Sequence, residues 1–517
     1  GQGCRTATAA TPTRTTRETG QAGRVMDRRP VSRSIAHVGL ALTIAFGVLA
    51  GWAGYWQVFR SPDLSNAADN PAVIAAARNV VRGRILDRDG KVLATTKRDD
   101  NGDPYRVYPE RSVSAVIGYS SRQFGTAGLE RSYAAQLIGV SDPDPIRNLL
   151  KKFEANPSDP QTLTLSLSLA LQKAAVKGLG ADKGAVVMLD PRTGEVLVMA
   201  STPTFDASAI ANPATEDQGF AAVKGAASQP LLNRATQGRY VPGSVFKIVT
   251  ATAALGSGAI DASTTFPNQA KAERDGLLVD GFRIREHPGV PARTLDLAHA
   301  TEVSSNIFFA LAGLKTGGGA LAEYAAKLGF SGDVGFDLPV AASQVTNGSG
   351  KQPGGFVDDV ELANASYGQA ETFVTPFQMA LVAATVANGG ELMQPHLVTS
   401  LTGRSGTRTV APSPLRRVIS QQEAAAINVA MVRAVEGTLG RQFTPGAAVP
   451  GITTAGKSGT AELGGSGEPH SWFIGFAPAN DPQIAIAVLV ERGGRGAQRA
   501  VPLAGSLLKM YFDTVAK

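Results

Sequence analysis

The longest run of apolar residues lies close to the N-terminus. From Ile35 to Val58 the chain has no Asp, Glu, Lys or Arg. A helix of this length spans roughly 36 Å, whereas the hydrocarbon core of a bilayer is about 30 Å thick. Aromatic rings, which favour the membrane interface, gather at its C-terminal end: Trp52, Tyr55 and Trp56. The pattern predicts a single transmembrane helix over residues 35–58.

Charges on the two sides of this run predict its orientation. Three arginines precede it and one follows it: Arg28, Arg29, Arg33 and Arg60. Because cytoplasmic flanks of membrane helices are enriched in basic residues, we expect the N-terminus in the cytoplasm and the rest of the chain outside the membrane. A cleaved signal peptide is the alternative, but its apolar region has only about 7–15 residues. An uncleaved anchor therefore fits better.

Two segments with different residue patterns follow this apolar run. Residues 59–160 contain short strand-like pieces broken by the turns DRDG and NGDP: Gly83–Leu86, Lys91–Thr95 and Tyr105–Tyr108. The polar stretch Asn156–Gln161 closes this segment, which we interpret as a small, extended, loop-rich pedestal.

From residue 161 the pattern becomes that of a layered α/β (α+β) domain. Helix Leu167–Leu179 leads into two apolar strands, Gly184–Asp190 and Val196–Ser201, that form a hairpin around the turn PRTGE. Alanine-rich helices follow, and the domain closes with two strands and a helix: Ser244–Leu255, Ser304–Leu314, Pro376–Asn388, Gln421–Val435, Ser471–Phe476, Gln483–Val490 and Ala504–Thr514. Strands at both ends of 161–517 predict one antiparallel sheet flanked by helices.

Composition excludes several classes of protein. The single cysteine, Cys4, rules out an internal disulfide framework and a cysteine-built metal cluster, and the five histidines show no zinc-binding spacing. We therefore expect no metal and no cofactor.

The net charge is +7, but residues 1–60 hold eight Arg and only two acids. A nucleic-acid-binding protein would carry its charge on a folded face, so this distribution instead predicts a disordered basic tail over residues 1–34, in which Met26 is a candidate start.

A serine followed three residues later by a lysine opens one of the predicted helices. Ser244-Val-Phe-Lys247 follows Tyr240-Val-Pro-Gly, which places the serine among the free N–H groups of a first helical turn and the lysine on the same face. A partly buried lysine can be neutral near pH 7 and can activate the serine without a histidine. Alone the motif is weak evidence for a catalytic site, because a second copy, Ser506-Leu-Leu-Lys509, is interpreted as part of an ordinary helix surface.

Two further short motifs follow in order. Ser304-Ser305-Asn306 precedes an apolar helix and by itself reads as an N-cap. Lys457-Ser458-Gly459-Thr460 lies in extended, small-residue chain, where a ligand could pair with the strand edge and a carboxylate could bind the cation and hydroxyls. Its second copy, Lys315-Thr316-Gly317, reads as a helix end with a glycine cap.

The order SxxK, SxN, K[ST]GT resembles that of the serine penicillin-binding and β-lactamase families. The surroundings narrow the resemblance to the class B penicillin-binding proteins, which are membrane-anchored peptidoglycan D,D-transpeptidases. It covers nearly the whole chain after residue 35 and is seen in these segments: Arg82–Gly90, Gly184–Asp190 with Thr193-Gly194-Glu195, Asn233-Arg234-Ala235, Tyr367-Gly368-Gln369 with Thr375-Pro376, Ala455–Glu462 and His470–Phe473. Ala370 departs from the family, which usually has glycine there, and only 57 residues follow Thr460, which leaves no room for added wall-binding repeats.

The resemblance implies a role for each motif. Ser244 attacks the penultimate D-alanine carbonyl of a stem peptide and Lys247 accepts its proton. Ser304 relays a proton to the leaving D-alanine beside Lys457, and Asn306 holds the substrate amide and orients Lys247. Ser458, Gly459 and Thr460 bind the substrate carboxylate, with the N–H groups of Ser244 and Thr460 as oxyanion hole. A neighbouring stem then forms the cross-link in the cell wall, and β-lactams acylate Ser244.

The same resemblance implies a pedestal that is dimerisation-like and a membrane glycosyltransferase partner of the SEDS type. It leaves open whether the enzyme serves cell shape or cell division.

A secreted D,D-carboxypeptidase or β-lactamase is disfavoured by the anchor and the long segment before Ser244. A bifunctional class A synthase lacks room for its second domain. A non-catalytic scaffold or antibiotic sensor is disfavoured because the chain retains all five catalytic candidates: Ser244, Lys247, Ser304, Asn306 and Lys457. His287, His299 and His396 are interpreted as structural.

Overall fold

The computed structural model describes residues 31–58, 81–139, 159–464 and 467–514, with side chains of the first segment described only over 37–52. Residues 1–30 of the predicted tail 1–34 and residues 156–158 of the polar stretch 156–161 lie outside the described residues. The chain divides into two compact units, residues 1–65 and residues 66–517.

The first unit contains the helix α1, Val31–Val58, which covers the run predicted as the anchor. Its large apolar side chains over 37–52 are between 53% and 68% exposed: Val38, Leu40, Leu42, Ile44, Phe46, Val48, Leu49 and Trp52. Within the part of the chain that the structure describes, no helix is both long enough and apolar enough to cross a membrane.

The second unit alternates strands and helices along its whole length. Its strands are β1 Ile85–Leu86, β2 Val92–Arg98, β3 Pro104–Val107, β4 Ser120–Ser121, β5 Gly125–Thr126, β6 Thr162–Leu165, β7 Gly184–Leu189, β8 Val196–Thr202, β9 Leu277–Val279, β10 Phe282–Ile284, β11 Glu391–Met393, β12 Val398–Gly403, β13 Gly406–Thr409, β14 Pro414–Arg417, β15 Ala455–Ala461, β16 His470–Ala477 and β17 Ile484–Val490.

Its helices are α2 Ser114–Ile117, α3 Gly128–Ser132, α4 Ala134–Ile138, α5 Leu169–Leu179, α6 Ala207–Ala211, α7 Glu216–Val223, α8 Lys247–Gly256, α9 Gln269–Asp275, α10 Leu297–Glu302, α11 Asn306–Thr316, α12 Gly318–Lys327, α13 Asp359–Ala365, α14 Pro376–Ala387, α15 Gln421–Glu436 and α16 Ala500–Thr514. Short 3₁₀ turns lie at Arg111–Val113, Gly243–Phe246, Pro353–Gly355, Gly440–Gln442 and Gly496–Gln498.

The central sheet joins the two ends of residues 161–517, as predicted. Its described strands run in the order β15, β16, β17, β7, β8, and each neighbouring pair is antiparallel. Because side chains alternate across a strand, β7 serves two cores: Val187 packs in one apolar cluster, and Val186 and Met188 pack in the other. Helix α14 covers the first face, and α5 and α16 cover the second.

A second sheet crosses the expected boundary near residue 160. Its order is β13, β12, β6, β1, β2, β3, in which β6 pairs parallel with β1 and antiparallel with β12. Strands from residues 85–107 therefore share one sheet with strands from residues 162–165 and 398–409. The segment predicted as the pedestal, residues 59–160, also has a buried ionic centre. There Glu130 accepts hydrogen bonds from Arg82 Nε at 2.8 Å and Arg106 Nε at 2.7 Å.

Most predicted elements are confirmed with shifts of a few residues at their ends. The largest difference is at α16, which begins at Ala500 rather than Ala504, and two smaller ones occur where chemistry was expected. The helix predicted to begin at Ser244 starts as the 3₁₀ turn Gly243–Phe246 and becomes α-helical at Lys247, and the helix predicted to begin at Ser304 begins at Asn306. Both duplicate motifs lie on ordinary structure, since Ser506 and Lys509 are exposed on α16 and Gly317 caps α11 with φ +81°.

Candidate active site

The predicted nucleophile lies in a tight turn that is held from two directions. Ser244 is half-buried in the 3₁₀ turn Gly243–Phe246, one turn before Lys247. The N–H of Gly243 donates to the carbonyl of Gly368 at 2.9 Å, and Gly243 has φ +56°. A Cβ on Gly243 would come within 2.5 Å of the carbonyl oxygen of Thr460, so only glycine fits the turn this close to strand β15.

Buried polar contacts fix the segment that leads into the turn. The N–H of Tyr240 donates to the carbonyl of Val374 at 2.9 Å, and its hydroxyl donates to Glu491 at 2.8 Å. Glu491 also accepts from Nε of Arg234, which is 1% exposed, at 2.7 Å. Trp472 Nε1 donates to the carbonyl of Val241 at 3.0 Å. The central sheet thus holds the chain immediately before Ser244.

Lys247 is completely buried and points at the SxN segment. Its Nζ lies 2.5 Å from the carbonyl oxygen of Ser304, 3.2 Å from Ser304 Oγ and 2.9 Å from Asn306 Oδ1. Its amine therefore contacts two of the predicted site residues at once.

Ser304 has the strained backbone of the site. Its φ is +59°, in the left-handed region that non-glycine residues rarely occupy, and the residue is 5% exposed. The cap of α11 is the next residue: Ser305 Oγ accepts the N–H of Phe308 at 2.9 Å. The cap predicted for this segment is confirmed at Ser305, which leaves the Ser304 hydroxyl free to face the lysines.

Lys457 approaches the same hydroxyl from the sheet. Its Nζ donates to Ser304 Oγ at 2.9 Å and to the carbonyl of Ser458 at 2.9 Å, and the residue is 1% exposed. Two lysines, one from helix α8 and one from strand β15, thus meet at one serine oxygen. Because both can donate to Oγ, the hydroxyl proton of Ser304 is available to a further acceptor.

Strand β15 brings the remaining predicted residues to the edge of the central sheet. The strand is the outermost of the described order, as the small-residue pattern predicted. Gly459 packs against the nucleophile turn, where an added Cβ would come within 3.0 Å of the carbonyl of Pro242 and of Val245 Cγ1. Ser458 is 8% exposed, and Thr460 Oγ1 accepts the N–H of Gly496 at 3.3 Å.

Burial controls the charges of the two lysines. Burial lowers the pKa of Lys247 to about 7, while Glu286 and Glu273 act to raise it. Burial, followed by repulsion from Lys247, holds the pKa of Lys457 well below its usual range. A neutral amine near pH 7 is what a general base for the serine requires. Two amines of lowered pKa therefore meet at the hydroxyl of Ser304, and one of them, Lys247, directly follows the turn that contains Ser244.

Sequence reasoning missed three residues of the site. His287, which was interpreted as structural, lies with Nε2 3.2 Å from the carbonyl oxygen of Ser304. Burial and the charge of Lys247 lower its pKa. Glu273 and Glu286 both contact Ser305 Oγ, at 2.9 Å and 2.8 Å. None of the three belongs to a spaced motif, and their only sequence signal is polar residues around the short hairpin β9–β10.

Two other histidines have structural partners. His470 Nδ1 accepts the N–H of Arg492 at 3.1 Å, and His299 Nδ1 lies 2.7 Å from Asp296 Oδ1. Among the described residues, no group of three or more His, Cys, Asp and Glu side chains could hold a metal ion.

Two families of known proteins match the chain. Residues 184–509 match the penicillin binding protein transpeptidase domain, and residues 82–161 match the penicillin binding protein A dimerisation domain. The chain is 32% identical over 480 residues to the peptidoglycan D,D-transpeptidase PbpA of Mycolicibacterium smegmatis, with 90% of this chain and 94% of that protein covered. PbpA of Mycobacterium tuberculosis is 33% identical over 460 residues, with 84% and 89% covered.

Solved structures agree with the sequence comparison. Penicillin-binding protein A of M. tuberculosis, solved as its penicillin G acyl-enzyme complex, matches with a TM-score of 0.73 at 30% identity, over 85% of this chain and 100% of that chain. The imipenem acyl-enzyme of the same protein matches with a TM-score of 0.72 at 30% identity, over 84% and 99%.

Proposed function

The chain belongs to the class B penicillin-binding proteins and is a peptidoglycan D,D-transpeptidase, and from this premise we propose which of its residues perform the reaction. Ser244 is the nucleophile and Lys247 its general base. The observation that carries this assignment is the convergence of Lys247 and Lys457 on Ser304 Oγ, at 3.2 Å and 2.9 Å, beside the turn that contains Ser244.

The first half of the reaction acylates the enzyme. The Ser244 hydroxyl gives its proton to the neutral Lys247 amine, and its oxygen bonds to the carbonyl carbon of the penultimate D-alanine. The electron pair moves to the carbonyl oxygen, which the N–H groups of Ser244 and Thr460 receive; such a donor is worth about 3 kcal/mol. Ser304 then protonates the departing D-alanine nitrogen and regains a proton from the adjacent lysines.

The second half transfers the acyl group to an amine of a neighbouring stem peptide. The amine nitrogen bonds to the acyl carbon, the bond from that carbon to Ser244 Oγ breaks, and a proton from the amine returns to Ser244 Oγ. Ser458 and Thr460 act earlier, during acylation: their hydroxyls bind the terminal carboxylate of the donor, which leaves with the released D-alanine, with the Lys457 amine nearby, while Asn306 holds the substrate amide. A β-lactam presents a strained amide beside a carboxylate, so it follows the same route as far as the acyl-enzyme.

Covalent labelling tests the assignment. The purified protein incubated with fluorescent penicillin should gain the mass of one adduct, and Ser244→Ala should abolish the label. Ser506→Ala is the matched control, because it removes the serine of the exposed duplicate motif and should leave the label intact. A folded wild-type protein that stays unlabelled would favour a scaffold or sensor, and a label lost within seconds would favour a β-lactamase.

We further infer that residues 35–58 anchor the enzyme in the cell membrane, with the N-terminus cytoplasmic and residues 66–517 extracytoplasmic. The uncharged run, the arginines before it and the exposed apolar side chains of α1 support this inference. On this topology the basic segment 1–34 is the cytoplasmic tail, 59–160 the pedestal and 161–517 the transpeptidase domain.

The single cysteine of the chain allows a direct test of this topology. A membrane-impermeant maleimide should leave Cys4 unlabelled in intact spheroplasts and label it after permeabilisation. In a Cys4→Ser background, Thr407→Cys, at an exposed position, should show the opposite pattern. Extraction of the protein by alkaline carbonate would contradict the anchor.

We also propose, on family resemblance, that a SEDS-type membrane glycosyltransferase supplies the glycan strands. Co-purification of such a protein from detergent-solubilised membranes with the full chain, and its loss when residues 1–58 are removed, is the expected result. Retention of the partner by residues 66–517 alone would place the contact elsewhere.

A further inference from the structure

Two glutamates contact Ser305 in the SxN segment, and the reaction described above does not use them. Glu273, on α9, is 6% exposed, and Glu286 follows β10 and is half-buried. Their Oε1 atoms lie 2.9 Å and 2.8 Å from the same atom, Ser305 Oγ. Ser305 itself is fully buried. Glu273, Glu286 and Ser305 form one hydrogen-bonded cluster, and Ser305 directly follows Ser304 in the chain.

The number of available protons limits how this cluster can be ionised. A serine hydroxyl has one donor and two acceptor sites, and one acceptor site of Ser305 receives the N–H of Phe308 at 2.9 Å. The hydroxyl proton can therefore serve only one of the two carboxyl groups. The other carboxyl group, equally close to Oγ, must supply a proton of its own, because two oxygens at this distance with no proton between them repel.

The surroundings decide which glutamate keeps the charge. Glu286 Oε1 also accepts the N–H of Ile307 at 2.6 Å, at the N-terminal end of α11 where a negative charge is favoured. The only further donor to Glu273 Oε1 among the described residues is the neutral amide of Gln269, at 3.1 Å. Oε2 of each glutamate is buried with no hydrogen-bond partner among the described residues, so two ionised groups here would be costly.

We propose that Glu273 and Glu286 are positioning residues that share one proton, and that their single negative charge holds the SxN segment and stabilises the ammonium that Lys247 forms when Ser244 attacks. The proton chain runs from the Glu273 carboxyl to Ser305 Oγ and from the Ser305 hydroxyl to the Glu286 carboxylate. This inference rests on the proposed roles of Ser244 and Lys247 and adds to them.

The electrostatics of the cluster agree with the geometry. Burial and the charge of Glu286 raise the pKa of Glu273 to about 8, so Glu273 is protonated at neutral pH. Both glutamates act to raise the pKa of Lys247 against its burial. The charged and titratable groups that face Lys247 from all neighbouring elements are Glu273, Glu286, His287 and Lys457.

The cluster does not exchange protons with the substrate. During acylation the proton moves from Ser244 Oγ to Lys247 Nζ while the bond between the serine oxygen and the carbonyl carbon forms and the electron pair moves to the carbonyl oxygen. The charge of Lys247 changes from 0 to +1, and the pair of glutamates keeps its charge of −1. Its contribution is therefore greater in the transition state than in the free enzyme.

The pH dependence of acylation by a fluorescent penicillin tests the proposal. Removing the negative charge in the double variant Glu273→Gln/Glu286→Gln should move the acidic midpoint of the second-order acylation rate about one unit to lower pH. The same variant should reduce the plateau rate about tenfold. Glu286→Gln alone should give a smaller shift, because Glu273 can then ionise, and Glu273→Gln should shift the midpoint least. Glu323→Gln, which removes an exposed charge paired with Lys327, is the control and should match the wild type.

The possible outcomes separate this proposal from the proposed function. A double variant that is folded and labelled, but whose midpoint equals that of the wild type, would overturn the role of the charge, since a purely structural role lowers the rate equally at every pH. Infrared difference spectra of Glu273→Gln against the wild type should show loss of a protonated carboxyl band, and absence of that band would overturn the shared proton. Failure of the wild type itself to be labelled would instead refute the assignment of Ser244.

Discussion

Ser304 combines a strained backbone with the hydroxyl on which two lysines meet, and two substitutions separate these properties. Ser304→Ala and Ser304→Gly both remove the hydroxyl that accepts from Lys457 and Lys247, at 2.9 Å and 3.2 Å. Only glycine also relieves the φ of +59°. We expect equal losses of activity in the two variants and unequal stabilities.

The sizes of both effects follow from the structure. A non-glycine residue in the left-handed region destabilises the folded state by about 1–2 kcal/mol. Glycine avoids this strain, but its greater freedom in the unfolded chain offsets about 0.5–1 kcal/mol of the gain. Ser304→Gly should therefore be about 0.5–1 kcal/mol more stable than Ser304→Ala. Loss of a proton relay lowers rates by about 100-fold or more, and it should do so equally in both.

The assays are the second-order rate of acylation by fluorescent penicillin and the free energy of unfolding in denaturant. Asn306→Ala is a useful comparison, because it removes one partner of Lys247, at 2.9 Å, and leaves the backbone of Ser304 unchanged. If either Ser304 variant were acylated at the wild-type rate, the shared hydroxyl would not be part of the chemistry. If the two were equally stable, the left-handed conformation would not be strained.

Three further predictions concern other parts of the molecule. The acylation rate of the wild type should rise with pH and level off above about pH 7, because Lys247, whose pKa is lowered to about 7, must lose its proton to act as a base; a rate that falls over that range would exclude this role. Glu130→Gln should lower the free energy of unfolding by about 3 kcal/mol, because it removes the counter-charge of two buried arginines, whereas Glu110→Gln, at a surface ion pair, should cost less than about 1 kcal/mol. Ala370→Gly should stabilise the protein by up to about 1 kcal/mol, since Ala370 is exposed and has φ +59°; a loss of stability would contradict the strain.

The sequence predicts the elements and the motifs well because both depend on local patterns. The all-apolar strands Gly184–Leu189 and Ile484–Val490 are recognisable by composition alone, and the order of three short motifs identifies Ser244, Lys247 and Lys457. The structure confirms that Lys247 contacts Ser304 and Asn306 and that Lys457 contacts Ser304. The catalytic roles remain predictions until the variants are measured.

What the sequence could not predict depends on contacts between distant residues. Glu273 and Glu286 form no motif, and their importance arises only because folding buries both against Ser305. The positive φ of Ser304, directly before the cap at Ser305, is likewise indicated by no local pattern. Ala370 is a similar case: its departure from the usual glycine is visible in the sequence, but the positive φ that explains the usual glycine is seen only in the structure.

The six-stranded sheet that unites residues 85–107 with residues 162–165 and 398–409 has a consequence for dissecting the enzyme. A fragment beginning at residue 161 would keep β6 but lose its parallel neighbour β1, which would leave an unpaired strand edge prone to association with other chains. Separately produced halves divided at that position would need each other to complete the sheet. Fragments of this enzyme are therefore better suited to complementation experiments than to use as independent modules.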